Sequence, residues 1–229
     1  MSLISNVAAI LDAKKPLDEV RYLESKVNYD DEISILDIDL KNIIPPPPKN
    51  SSLTTKKELE TIYNATKSRT REEIELVRLV DQDPLDLFYK FIKKHNLKFD
   101  KDKFDAYYNI LEQYIYALKY YHNRARPEQL APYYNLNLDI LYTDTHHTPA
   151  YPSGHTVYAE LAAYILTGQY PEFKKEFFKL SNYCGLGRIL QGVHYPSDNK
   201  ASSEVVKKLY PLIEEKYEQY KKDQKFPSY

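Results

Sequence analysis

Four consecutive prolines, Pro45 to Pro48 in the stretch IIPPPPKNSS, constrain this chain more than any other feature. Each proline fixes φ and removes a backbone donor, so the run cannot be helix and favours an extended polyproline segment. It separates an N-terminal arm, residues 1–50, from a body, residues 51–229. Within the arm Ile33, Leu36, Ile38 and Leu40 alternate unevenly with acidic residues, a pattern too mixed for a strand. The arm is therefore expected to be irregular and packed on the body.

Beyond the prolines the apolar spacing is helical nearly throughout. Ile74, Val77 and Val80 share one helix face, and Asp83-Pro84 offers a cap and first-turn proline for a helix carrying Leu85, Phe88 and Ile92. Phe104, Tyr108, Leu111, Ile115 and Leu118 recur at four- and three-residue steps, marking a long helix that Pro127 should terminate. Val157, Leu161 and Ile165 predict a helix from about Ser153 to Gly168, and Phe173, Phe177, Leu180 and Cys184 predict the next. A last segment starts near Asp198 and carries Ala201, Val205 and Leu209, with a break or restart at Pro211. The tail YKKDQKFPSY reads as a solvated, fraying end. The expected fold is an all-α bundle of seven or eight helices, and 229 residues favour a single domain, 1–229.

Charge and length exclude several classes. Thirty-two basic against thirty-three acidic residues leave a formal charge of −1, so nucleic acid is not an expected partner. The run from Tyr158 to Tyr170 carries Glu160 and Gln169 and falls short of the roughly 20 apolar residues that a membrane span needs. The start, MSLISNVAAILDAKK, lacks the basic and then apolar pattern of a secretory leader, so the expected location is cytoplasmic or otherwise intracellular, or periplasmic if a leader was removed. Cys184 is the single cysteine, which excludes an internal disulfide. The 23 tyrosines are expected to serve core and boundary packing. Oligomeric state is left open, a homo-oligomer included.

Three clusters suit one tetrahedral anion. In KYYHNRARP, Lys119 and Arg126 stand seven apart, the spacing that returns to one helix face after two turns. In YPSGHT, Ser153, Gly154 and His155 open a helix, where free N–H groups and the helix dipole favour negative charge. In GRILQGVHYPSD, Arg188, His194 and Asp198 supply a cation, a ring nitrogen and a carboxylate that can orient the ring. Each has an ordinary alternative: solvated charges for Lys119 and Arg126, a simple N-cap for Ser153, and a helix cap for Asp198. Their conjunction, in order and at these spacings, favours the shared site. His146 and His147 suggest no third metal ligand by spacing, and are expected to be solvated loop residues.

The patterns K-x6-R-P, P-S-G-H and R-x5-H-x3-D resemble the signature of the type 2 phosphatidic acid phosphatase and vanadium haloperoxidase superfamily. From about Ile43 onward, the wording of IIPPPPKNSS, KYYHNRARP, YPSGHT and GRILQGVHYPSD is similar to the soluble bacterial class A nonspecific acid phosphatases. One departure is Gly187 before Arg188, where the family usually has serine, so that a hydroxyl beside the phosphate pocket is expected to be missing.

The resemblance implies a metal-independent acid phosphatase that hydrolyses a small phosphorylated substrate through a phosphohistidine. His194 would be the nucleophile, Asp198 its orienting partner, and His155 the acid and then the base. Lys119, Arg126, Ser153, Gly154 and Arg188 would bind the phosphoryl oxygens. No cofactor is implied, although phosphate or vanadate can occupy such a site. The rival readings are a vanadate-dependent haloperoxidase, a phosphatase for diphosphates or lipid phosphates, and a phosphate-binding module without catalysis.

Overall fold

Short polar side chains decide where the helices of this chain begin. The Ser52 hydroxyl accepts from the Thr55 N–H at 3.2 Å, Thr70 and Glu73 form a reciprocal capping box, and the Asp100 carboxylate accepts from the Lys103 N–H at 2.9 Å. Left-handed residues end three helices, with Asn96 at φ 53°, Asn123 at φ 47° and Gly192 at φ 92°.

The computed structural model describes residues 3–13, 36 and 38–223, and among these all regular structure is helical. The α-helices are α1 (Leu3–Asp12), α2 (Leu53–Lys67), α3 (Arg71–Gln82), α4 (Asp86–His95), α5 (Lys101–His122), the single turn α6 (Pro127–Leu130), α7 (Gly154–Gln169), α8 (Lys174–Gln191) and α9 (Pro196–Asp223). Eight of these have ten or more residues, which agrees with an all-α bundle. None is long and apolar enough to cross a membrane among the described residues.

Helix α7 is the central element, packed along α8 and α9, while α3 lies against α8. Its Val157, Leu161, Ala162 and Leu166 are fully buried in the main core with Phe104, Leu111 and Phe177. A smaller core of Leu59, Ile62, Ala125, Leu130 and Tyr195 sits where α2 meets the segments around Ala125 and Tyr195. The two cores flank the ends of α5, α7 and α8, and that is where the polar site is built.

Several expectations need correction. The arm is not irregular at its start: Leu3–Asp12 is helical, and Asp12 accepts from the Ser51 N–H at 2.9 Å and from its hydroxyl at 2.8 Å. Leu36 is buried, with its N–H donating to the Tyr114 hydroxyl at 2.9 Å; the arm between 14 and 35, with Ile33, lies outside the described residues. Pro127 does not terminate α5, because Asn123 already does, and Pro127 instead opens α6. Nor does Pro211 break α9, which runs through it. Leu209, Ile213 and Tyr217 remain buried on one face across that proline, and their burial, roughly 1.5–3 kcal/mol per side chain, outweighs about 3 kcal/mol for the lost hydrogen bond and clash. The same helix reaches Asp223, so the first residues of the tail are ordered helix; those from 224 on lie outside the described residues.

Candidate active site

His194 lies in the short link between α8 and α9. Gly192 ends α8 in a left-handed turn, and Pro196 opens α9 two residues beyond His194. The imidazole is 2% exposed. Its Nδ1 is 3.0 Å from Asp198 Oδ2, and its Nε2 is 2.9 Å from Arg126 Nη1. Arginine is a donor only, so Nε2 must offer its lone pair and Nδ1 must carry the proton, which it donates to Asp198. The tautomer is thus set by the partners, and the free electron pair faces Arg126.

Asp198 is fully buried and accepts from three sides. Besides His194, the Tyr195 N–H reaches Oδ2 at 2.9 Å and Arg124 Nη1 reaches Oδ1 at 2.6 Å. Burial pushes the Asp198 carboxyl above the usual carboxylate range, and Arg124 and the Tyr195 N–H pull the other way. Arg124 also donates to Glu58 at 3.0 Å and to the Ser197 hydroxyl at 2.7 Å, with its guanidinium 3.8 Å from the centre of the Tyr195 ring. Glu58 accepts from the Ser197 N–H at 2.7 Å and from its hydroxyl at 2.9 Å, so α2 is tied to the start of α9.

Lys119 and Arg126 do not share a helix face, since α5 ends between them. They meet because one loop collects both: Lys119 Nζ donates to the Pro149 carbonyl at 2.6 Å, and Arg126 Nε donates to the Thr148 carbonyl at 2.8 Å. Arg126 Nη1 also reaches the Val193 carbonyl at 2.8 Å. Burial and then the charge of Arg126 hold Lys119 well below the usual lysine value, with Asp198 opposing.

Arg188, on α8, is fully buried beneath the site. Its Nη1 donates to Asp81 at 2.5 Å, and its Nη2 donates to Thr145 Oγ1 at 3.0 Å. Burial raises Asp81, but the Thr143 hydroxyl and Arg188 outweigh it and hold that carboxyl below its ordinary value. Gly187 stands at the contact of α8 with α3. A Cβ built there would overlap the Val80 side chain, so the space that a serine would need is already filled. Gly187→Ser should cost about 1–3 kcal/mol, read as a lower urea midpoint, and Val80→Ala in the same chain should return part of it.

Ser153, Gly154 and His155 divide their roles by position. Ser153 is fully buried as the N-cap of α7, accepting from the Thr156 N–H at 3.4 Å and from the Thr156 hydroxyl at 3.0 Å, and it does not line the pocket. Gly154 and His155 do line it, and a side chain added at Gly154 would meet open space. Burial, followed by the charges of Arg188 and Arg126, pushes His155 down to about 3. Burial, Arg126, Lys119 and Arg188 hold His194 well below 6.5 as well.

The pocket above these groups has a volume of about 610 Å³, with Lys119, Arg126, Gly154, His155 and His194 in its lining. It is a cavity whose inner end carries Lys119 and Arg126 beside His155 and His194, both held below the usual histidine value, an arrangement suited to a compact anion. Sequence reasoning missed Arg124, Glu58 and Asp81. The one available signal was Arg124, two residues before Arg126 in KYYHNRARP; nothing in the sequence marks Glu58 or Asp81. His147 lines the pocket, while His146 Nδ1 lies 2.5 Å from the Thr143 carbonyl and its Nε2 lies 3.4 Å from Glu128. No group of three metal-ligating side chains occurs among the described residues. Comparison with curated proteins finds no match. The PAP2 superfamily profile, however, matches residues 106–205, a span that runs from within α5 through Lys119, the start of α7 and His194 into α9 and so contains every residue of the pocket's inner end.

Proposed function

We propose that this pocket hydrolyses phosphomonoesters through a phosphohistidine at His194. The observation that carries the reading is the pairing at that ring: Asp198 on Nδ1, and an arginine on the lone pair of Nε2. An arriving phosphoryl group takes Arg126 for its own oxygens and leaves Nε2 facing phosphorus. The Nε2 lone pair forms the N–P bond as the ester P–O bond breaks, and the leaving oxygen takes a proton from His155. Neutral His155 then takes a proton from water, whose oxygen attacks phosphorus as the N–P bond breaks. Phosphate leaves, and both histidines return to their starting states. Lys119, Arg126 and Arg188 supply the positive field for the five-coordinate state, so the scheme needs no metal.

The proton on His155 arrives with the substrate. Burial and then the charges of Arg188 and Arg126 push this ring down to about 3. A bound dianion opposes that field and raises the value, so that the ring can hold the proton it gives to the leaving oxygen. Turnover is therefore expected to be greatest at acid pH, and the match of residues 106–205 to the PAP2 superfamily supports phosphatase chemistry. The similarity of YPSGHT and KYYHNRARP to class A acid phosphatases supports small phosphomonoesters as substrates.

The test compares leaving groups. His155→Ala should slow single-turnover phosphorylation by an alkyl phosphate by about 10²- to 10⁴-fold, and by an activated aryl phosphate far less, since an aryl oxide departs with little protonation. Phosphohistidine should accumulate in this variant, because water lacks its base. Equal loss on both substrates would overturn the role of His155.

A further inference from the structure

The wall of the same pocket differs in chemistry from its inner end. Tyr108, Glu112 and Tyr116 stand four residues apart on α5, forming a stripe that climbs outward from Lys119. Seven residues separate Glu112 from Lys119, which puts its Cα about 10 Å farther along the helix axis. Tyr158 of α7 faces the stripe, with its ring 4.5 Å from that of Tyr108 and nearly perpendicular to it. Two more carboxylates complete the wall: Asp83 between α3 and α4, and Asp144 in the loop before α7. Apart from His147, no basic side chain lines this outer part.

Among the described residues none of Asp83, Glu112 and Asp144 has a lysine or arginine in an ion pair. Asp83 accepts from the Leu85 N–H at 2.8 Å, and Asp144 accepts from the Tyr142 hydroxyl at 2.7 Å, both neutral donors. Burial and then Asp83, followed by Asp105, Tyr89 and Glu112, push Tyr158 up to about 12. The pocket is thus cationic at its inner end and anionic along its aromatic wall.

Resting on the phosphatase reading, we infer that the preferred substrates are zwitterionic phosphomonoesters, in which an apolar or aromatic leaving group ends in an ammonium. The phosphoryl group meets Lys119 and Arg126, the organic body lies against Tyr108, Tyr116 and Tyr158, and the ammonium faces Glu112 with an aromatic ring on either side. A second phosphate or a carboxylate in that position meets like charge, so diphosphates are poor substrates.

Three aryl phosphates of matched size test this: tyramine O-phosphate, 4-ethylphenyl phosphate, and the phosphate of 3-(4-hydroxyphenyl)propanoate. Their phenols leave with similar ease, so differences in kcat/KM report the remote charge. The ammonium substrate should exceed the neutral one by about 5-fold and the carboxylate by about 20-fold, with the spread shrinking as salt rises. Glu112→Gln should lower the ammonium-to-neutral ratio to about 2 or less, and Glu112→Lys should bring it below one; ratios within one variant cancel any loss of folded protein. A flat or reversed order with the neutral substrate turned over would overturn this inference alone. Failure to hydrolyse all three would overturn the phosphatase reading itself.

Discussion

His194→Ala should abolish the phosphoenzyme and lower turnover by about 10⁴-fold or more, whatever the leaving group. The other parts of the pocket would still gather substrate, but no nitrogen would remain to take the phosphoryl group. On the proposed route the variant should separate cleanly from His155→Ala, which would keep the nucleophile and lose the proton shuttle. Rapid quench at neutral or alkaline pH, where an N–P bond survives, is the measurement to make. A labelled phosphoenzyme in His194→Ala would remove this residue from the reaction. Circular dichroism should accompany it, because the ring is buried between Arg126 and Asp198 and its removal takes one partner from each.

Arg124→Ala should be the most destabilising single change at the site. Its guanidinium neutralises Asp198 and Glu58 together, with its side chain 1% exposed against 0% and 11% for theirs. Removing one partner of a buried ion pair leaves the other charge without compensation, at a typical cost of 3–5 kcal/mol. Urea denaturation should show a loss in that range. Arg124→Ala combined with Glu58→Gln should cost less than the sum of the two, since the second change removes part of what the first strands. A loss below about 1 kcal/mol for Arg124→Ala would mean that Asp198 finds its counter-charge elsewhere.

Much of the fold was legible because it is local. The stripe from Phe104 to Leu118 predicts α5, and Val157, Leu161 and Ile165 predict α7, because helical spacing and burial on one face are properties of neighbouring residues. Element ends were harder. Pro127 and Pro211 carry a strong local preference, but Asn123 stops α5 earlier, and the buried face of α9 carries the helix past its proline. The helix at Leu3–Asp12 was missed because its ten residues are too few for a repeated helical spacing to stand out.

The site divides in the same way. Lys119, His155, Arg188, His194 and Asp198 could be named because they fall in short motifs of fixed spacing. Their partners could not. Glu58 meets Ser197 across 139 positions, and Asp81 meets Arg188 across 107, so only packing reveals them. The glycine at 187 was noticed as a missing hydroxyl, but its physical reason, the Val80 side chain from another helix, is invisible without the fold.

The bond between Glu58 and Ser197 has a kinetic consequence. Bringing together residues so far apart costs loop-closure entropy before the contact returns anything, whereas each helix can form from its own neighbours. Helical signal should therefore recover ahead of a competent pocket when the chain refolds. A population trapped between those stages would look nearly native by its backbone and yet leave Asp198 without the arginine that holds it, a folded silhouette with no working chemistry.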